Sequence, residues 1–234
     1  MEAHGSRADP ELDRWRRVYA GEEYYYGSDP GPVARRAVRY HRPLLPGGGR
    51  ALDAGCGEGQ DLAFLAECGY DATGIEFTPE GARKSRAMLA ERGLRAAVEE
   101  IDLRSFEPQS SYDLVLAVNC VQFLGTEAPE VLRSLMALTS PGGVIGLSLF
   151  ARKPEERALQ GTLWLTTLDE LLRQFANWQP LEAAQLWQWH ASSSVPQEFL
   201  TLIARKPVVQ SLVASRRIEA SVGQIPRPGL TTED

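Results

Sequence analysis

Residues 51–61 read Ala51-Leu52-Asp53-Ala54-Gly55-Cys56-Gly57-Glu58-Gly59-Gln60-Asp61. A short apolar run (50–54) enters three glycines spaced two apart, and a helical pattern (60–68, with Leu62, Leu65 and Ala66 on one face) leaves them. A glycine-rich turn between strand and helix lets a ligand approach the backbone, and the helix start offers N–H groups without partners. Position 60 is Gln, so the third glycine of the dinucleotide pattern G-x-G-x-x-G is missing. No Gly-Lys-Ser/Thr follows, which removes the P-loop reading. An adenosine-bearing ligand is the remaining expectation.

Outward from this turn the chain alternates. Strands are expected near 72–77, 95–101, 112–118 and 144–150, with helices from Pro79 and over 129–138. Tyr112–Val118 is almost wholly apolar, as suits a central strand covered on both faces. A helix over 167–175 and two late strands near 181–187 and 199–204 complete the pattern. Seven strands with interleaved helices imply an α/β, doubly wound, mostly parallel sheet with helices on both faces. The last two strands, joined without a helix, imply one antiparallel strand. Upstream, residues 11–26 read as a helix followed by the aromatic cluster Tyr24-Tyr25-Tyr26, and residues 33–40 as a second, short helix. Residues 1–10 and the tail 207–234 carry little apolar pattern, and disorder is expected for the first and for part of the second. A single domain over 11–206, with 11–45 as a helical lid, is the expected organisation.

A net charge of -6 argues against a nucleic-acid surface. Cys56, Cys68 and Cys120 form no C-x-x-C pair, which disfavours structural zinc and a disulfide framework; no metal site is expected. The polar start Met1–Arg14 lacks a signal-peptide core, and no apolar run reaches the ~20 residues of a membrane helix. A cytoplasmic protein, monomeric or homodimeric, is expected.

Asp53-x-Gly55-x-Gly57-x-Gly59 resembles motif I of the class I S-adenosylmethionine (SAM) dependent methyltransferases. The resemblance implies a Rossmann-like fold, SAM as cofactor and S-adenosylhomocysteine (SAH) as product. It implies that Asp53, Ala54, Gly55, Cys56 and Gly57 run beneath the methionine part. Glu76 ends the second strand about 20 residues past the glycines, the spacing of an acid that accepts from both ribose hydroxyls. By the same resemblance Phe77 and Leu103 pack on the adenine, Asp102 meets its amino group, and Val118 and Asn119, in a motif IV-like Tyr112–Asn119, line the cofactor. Asn119 is not followed by Pro-Pro-Tyr, the mark of enzymes that methylate amide or base nitrogens.

The segments 68–76, 112–116, 121–124, 168–178 and 199–206 are similar to the tellurite-resistance TehB-type branch. In that branch a histidine near the last hairpin, followed by arginine, is implicated in catalysis. His190 is the matching residue and Ala191 follows it instead. Trp15, Tyr25, Tyr26, Arg36, Phe123 and Trp189 are candidates for the lid or the substrate wall. The expected reaction is methyl transfer to a small molecule with a thiol or chalcogen nucleophile. An oxygen or nitrogen acceptor from secondary metabolism, and a SAM-binding protein without turnover, are the alternatives.

Overall fold

The computed structural model describes residues 10–44, 46–108, 110–153, 159–160, 163–189 and 196–208. Helices α1 (Pro10–Tyr19) and α2 (Pro32–His41) precede β1 (Gly49–Ala54), α3 (Gln60–Glu67), β2 (Tyr70–Glu76), α4 (Pro79–Glu91), β3 (Ala97–Glu100) and β4 (Tyr112–Val118). There follow α5 (Ala128–Leu138), β5 (Thr139–Phe150), a hairpin of β6 (Leu159–Gln160) and β7 (Leu163–Trp164), α6 (Leu168–Gln174), β8 (Gln179–Trp189) and β9 (Pro196–Arg205). The seven-stranded sheet has the order β3-β2-β1-β4-β5-β9-β8. Five strands run parallel, and β9 is antiparallel to both β5 and β8. This is the expected sheet.

Side-chain alternation divides the core. In β4, Leu114 and Leu116 face α2, α3 and α4, while Val115 and Ala117 face α5 and α6. Ala51 and Leu52 divide in the same way in β1. Because both faces are covered, the central strands need apolar residues at every position. Helix α2 lies close on β5 at Gly146, where a Cβ would stand 3.1 Å from the Cβ of Ala37 and 3.2 Å from a methyl of Val33.

Several expected boundaries shift. The first helix stops at Tyr19, ahead of the aromatic cluster, and Tyr24–Gly27 form a turn closed by Gly27 N–H donating to the Tyr24 carbonyl. The fifth strand begins at Thr139 rather than 144. Pro141-Gly142-Gly143 sits inside it because the register slips between Tyr112 and Leu114 of β4, and residues 142 and 143 exchange backbone hydrogen bonds with Lys206. The final hairpin strands are longer than read from sequence, paired from Gln179–Arg205 to Trp189–Pro196 with a register shift between Pro180 and Glu182. The expectations for residues 1–9 and 209–234 lie outside the described residues.

Gly146→Val would push α2 off the sheet. Overpacking of ~1–3 kcal/mol corresponds to a fall in Tm of about 3–10 °C, measurable by scanning calorimetry.

Candidate active site

The chain turns from the β1–β2–β3 half of the sheet to the β4–β5 half between β1 and β4, and a crevice opens there at the carboxyl ends of the strands. It is a cavity of about 370 Å³. The glycine loop, Glu76 and Phe77 of β2 and its exit, Asp102 and Leu103, and Val118 and Asn119 all line it. So do Trp15 and Tyr19 of α1, Tyr26, and Phe123.

The glycine loop needs its glycines. Gly55 and Gly57 have φ of 71° and 54°. A Cβ at Gly55 would lie 2.4 Å from the Cβ of Cys120, and one at Gly57 would lie 2.8 Å from the Tyr19 hydroxyl. The loop is pinned from beside by Glu76, which is 3% exposed. One carboxylate oxygen accepts from Gly57 N–H at 3.1 Å; the other accepts from the Thr78 amide at 2.9 Å and its hydroxyl at 2.5 Å. Thr78 also caps α4, accepting from Gly81 N–H. Burial raises the Glu76 pKa, against the opposing pull of these donors.

Asp53 ends β1 beneath the loop, 2% exposed. It accepts the Leu62 amide, yet its Oδ2 is buried with no hydrogen-bond partner among the described residues. Burial, then the charges of Asp61 and Glu76, push its carboxyl well above the usual range. Asp61 is also raised by burial, although it accepts from Gly31 N–H at 2.6 Å. Across the crevice Asn119 holds a left-handed φ of 55°, rare for a side-chain-bearing residue. Ser148 of β5 fixes it, its hydroxyl donating to Asn119 Oδ1 at 2.8 Å and its carbonyl accepting the Asn119 amide at 2.9 Å. The Cys120 thiol donates to the Ala54 carbonyl.

An ion pair that the sequence reading did not single out ties the upstream segment to this loop. Glu58, between two of the glycines, is fully buried and meets Lys84 of α4 at 2.8 Å. Lys84 Nζ also donates to the Glu23 carbonyl, and Glu58 Oε2 accepts from Tyr26 N–H at 3.2 Å. The sequence held one signal of this. Lys84 shares the buried stripe of α4 with Gly81, Ser85 and Met88, and a lysine there needs a partner.

The other candidates fall in different places. Tyr25 stacks edge-on against Tyr26, 4.8 Å between centroids, outside the cavity lining. Ala54 is buried behind the loop. Arg36 pairs with Glu182 of β8 at 2.8 Å, away from the crevice, so the structure does not bring it to the cavity. Trp189 closes β8 opposite Pro196, and its side chain, like the whole of His190, lies outside the described residues. Asp102 is engaged by Arg104, which donates to it from backbone and guanidinium and also reaches Glu127 at 3.4 Å. Among the described residues no cluster of His, Cys, Asp or Glu is arranged to hold a metal ion.

Residues 51–143 match the family model described as "Methyltransferase domain". Over these residues the chain resembles the class I methyltransferases. Its sequence is 27% identical over 165 residues to "Hemagglutinin 1" of Eikenella corrodens, covering 68% of this chain and 55% of that protein. It is 32% identical over 120 residues to a "Ubiquinone biosynthesis O-methyltransferase" of Xanthomonas axonopodis pv. citri, covering 50% and 49%. The crystal structure of TehB from Haemophilus influenzae superposes with a TM-score of 0.66 at 18% identity, covering 84% of this chain and 67% of that one. The domain resembles TehB in fold and in sequence motifs. The chain spans about half the length of the curated relatives it matches. No helix among the described residues is long and apolar enough to cross a membrane.

Substitutions at Asp53, Lys84 and Glu58 test the buried charges. At pH below the unfolded-state value of about 3.9, the raised Asp53 carboxyl costs nothing, because both folded and unfolded chains hold the proton. Above it the unfolded chain ionises while the native group resists, and stability falls as pH rises through the native value. Asp53→Asn removes this loss, so its Tm gain over the wild type should grow between pH 4 and pH 8, by about 2–4 °C for each ~1 kcal/mol. Lys84→Met leaves Glu58 buried and unpaired and is expected to cost ~3–5 kcal/mol in urea unfolding. The double variant Lys84→Met/Glu58→Gln should recover part of that cost.

Proposed function

We propose that the chain binds SAM in this crevice and moves its methyl group to a small-molecule acceptor. The observation that carries the reading is the buried, unpartnered Asp53 Oδ2 beside a glycine loop that has no room for side chains. An orphaned carboxylate oxygen costs stability unless a donor arrives, and the cationic amino group of SAM is such a donor. Glu76 fits the ribose hydroxyls, and Asp102 and Leu103 fit the adenine end. The aromatic faces of Trp15 and Tyr19 suit a sulfonium. Support also comes from the methyltransferase family match and the TehB likeness.

When bound, SAM supplies a methyl group on positive sulfur, displaced in line with the bonding pair returning to sulfur. The residues here orient the two partners and exclude water. Asn119, fixed by Ser148, sets the floor of the reacting region. Burial keeps the Tyr19 and Tyr26 hydroxyls protonated well past neutral pH, so neither is a general base. A nucleophile that needs little help losing a proton fits best, and a thiol or another chalcogen is the preferred acceptor atom. An oxygen acceptor is the second reading, favoured by the similarity to a ubiquinone-biosynthesis O-methyltransferase. His190 is the candidate base for that case.

The test is SAM titration by calorimetry, followed by methyl transfer from labelled SAM to thiols, tellurite, selenite, phenols and amines. SAM should bind, Asp53→Ala should weaken it at least about ten-fold (~1.4 kcal/mol), and turnover should be fastest with thiols. Turnover on phenols alone would move the acceptor to oxygen. Tight SAM binding with no turnover would favour a binding protein, and no SAM binding would overturn the proposal.

A further inference from the structure

The walls of the crevice differ in chemistry from one end to the other, and the difference bears on the acceptor. Opposite the strand ends stands a joined set of rings. Trp15 meets Tyr19 at 5.6 Å, Tyr26 at 6.5 Å and Phe123 edge-on at 5.1 Å. Phe123 is backed in turn by Phe150 at 5.8 Å. Four elements of the chain converge to build this wall, and Leu124 extends its apolar surface.

The charges of the lining are one-sided. Glu11, Glu58, Glu76 and Asp102 contribute carboxylates, whereas Arg104 is the sole basic side chain among the described lining residues. Arg104 is committed to Asp102 and Glu127. Arg14 lies 5.4 Å over the Trp15 and Phe123 rings and pairs with Glu11 at 3.5 Å. Lys84 is buried against Glu58. The net positive charge of SAM offsets one carboxylate. Among the described residues each basic side chain at the crevice already faces a carboxylate, so an anion brought there would lose its hydration with no uncommitted cation among them to replace it. A neutral ring loses little on leaving water and gains offset or edge contacts with the aromatic wall.

Resting on the SAM-binding reading above, we infer that the methyl acceptor is an uncharged small molecule bearing an aromatic ring, held against Trp15, Tyr26 and Phe123, and that oxyanions such as tellurite and selenite are excluded. The nucleophilic atom is then a substituent on or next to that ring. Ring contact sets affinity, and the acidic lining sets the selection against anions.

The experiment uses matched probes on the SAH-loaded chain, titrated by calorimetry: 2-naphthol (neutral), 2-naphthoate (anionic, same ring) and selenite. 2-Naphthol is expected to bind at least ten-fold more tightly than 2-naphthoate, with no saturable binding of selenite. Phe123→Leu, which keeps apolar volume and loses the ring, should weaken 2-naphthol about ten-fold with its circular dichroism spectrum unchanged. Should Phe123→Leu fail to fold, Tyr26→Leu gives the same reading. Equal or tighter binding of 2-naphthoate or selenite, or absence of 2-naphthol binding, overturns the inference. If SAH itself does not bind, the SAM reading fails, and the same three probes on the unliganded chain still decide whether the crevice prefers neutral rings.

Discussion

Four carboxylates, those of Asp53, Glu58, Asp61 and Glu76, are buried within a few residues of two neighbouring strand ends, and among the described residues only Glu58 has an ion-pair partner. Such crowding opposes folding, because each charge gives up water and repels the others. Local donors make it tolerable. Glu76 collects the Gly57 and Thr78 amides, Asp61 takes Gly31 N–H, and Asp53 takes Leu62 N–H. The shape of the glycine loop, the start of α4 and the path of residues 23–31 all follow from where these carboxylates find donors. Asp53 Oδ2 is left over, buried beneath the glycine loop with no partner among the described residues.

The stability and the function of this region pull in opposite directions. A chain selected for stability alone would place amides or apolar residues at Asp53 and Asp61. An acid at Asp53 would reserve interaction energy for a ligand of the kind proposed above, which on binding would recover part of what folding gave up. The same logic applies to Asn119, whose left-handed backbone is held by Ser148.

Much of this was readable in the sequence because it rests on local pattern. Tyr112–Val118 is the predicted strand residue for residue, since nothing but a doubly covered strand suits so continuous an apolar run. The acids at 53, 76 and 102 stand at strand ends because the β-α period places them there. What was not readable depends on contacts between distant parts of the chain. Lys84 finds Glu58 across 26 residues, Arg104 turns back on Asp102, and Arg36 is drawn to Glu182 on the sheet edge. The early start of β5 depends on a register slip against β4, which no local signal at Pro141 announces.

Asp53 and Glu76 lie at the tips of β1 and β2, inside the sheet's hydrogen-bonded frame, whereas Trp15, Tyr26 and Phe123 are carried on a helix, a turn and a 3-10 segment outside it. Substitutions on the first set disturb the hydrogen bonds that hold the glycine loop; substitutions on the second leave the strand pairing intact, Phe123 meeting the sheet at the Phe150 ring. What the crevice admits can therefore be altered by substitution within residues 15–26 and in the turn after β4 without changing how the strands pair.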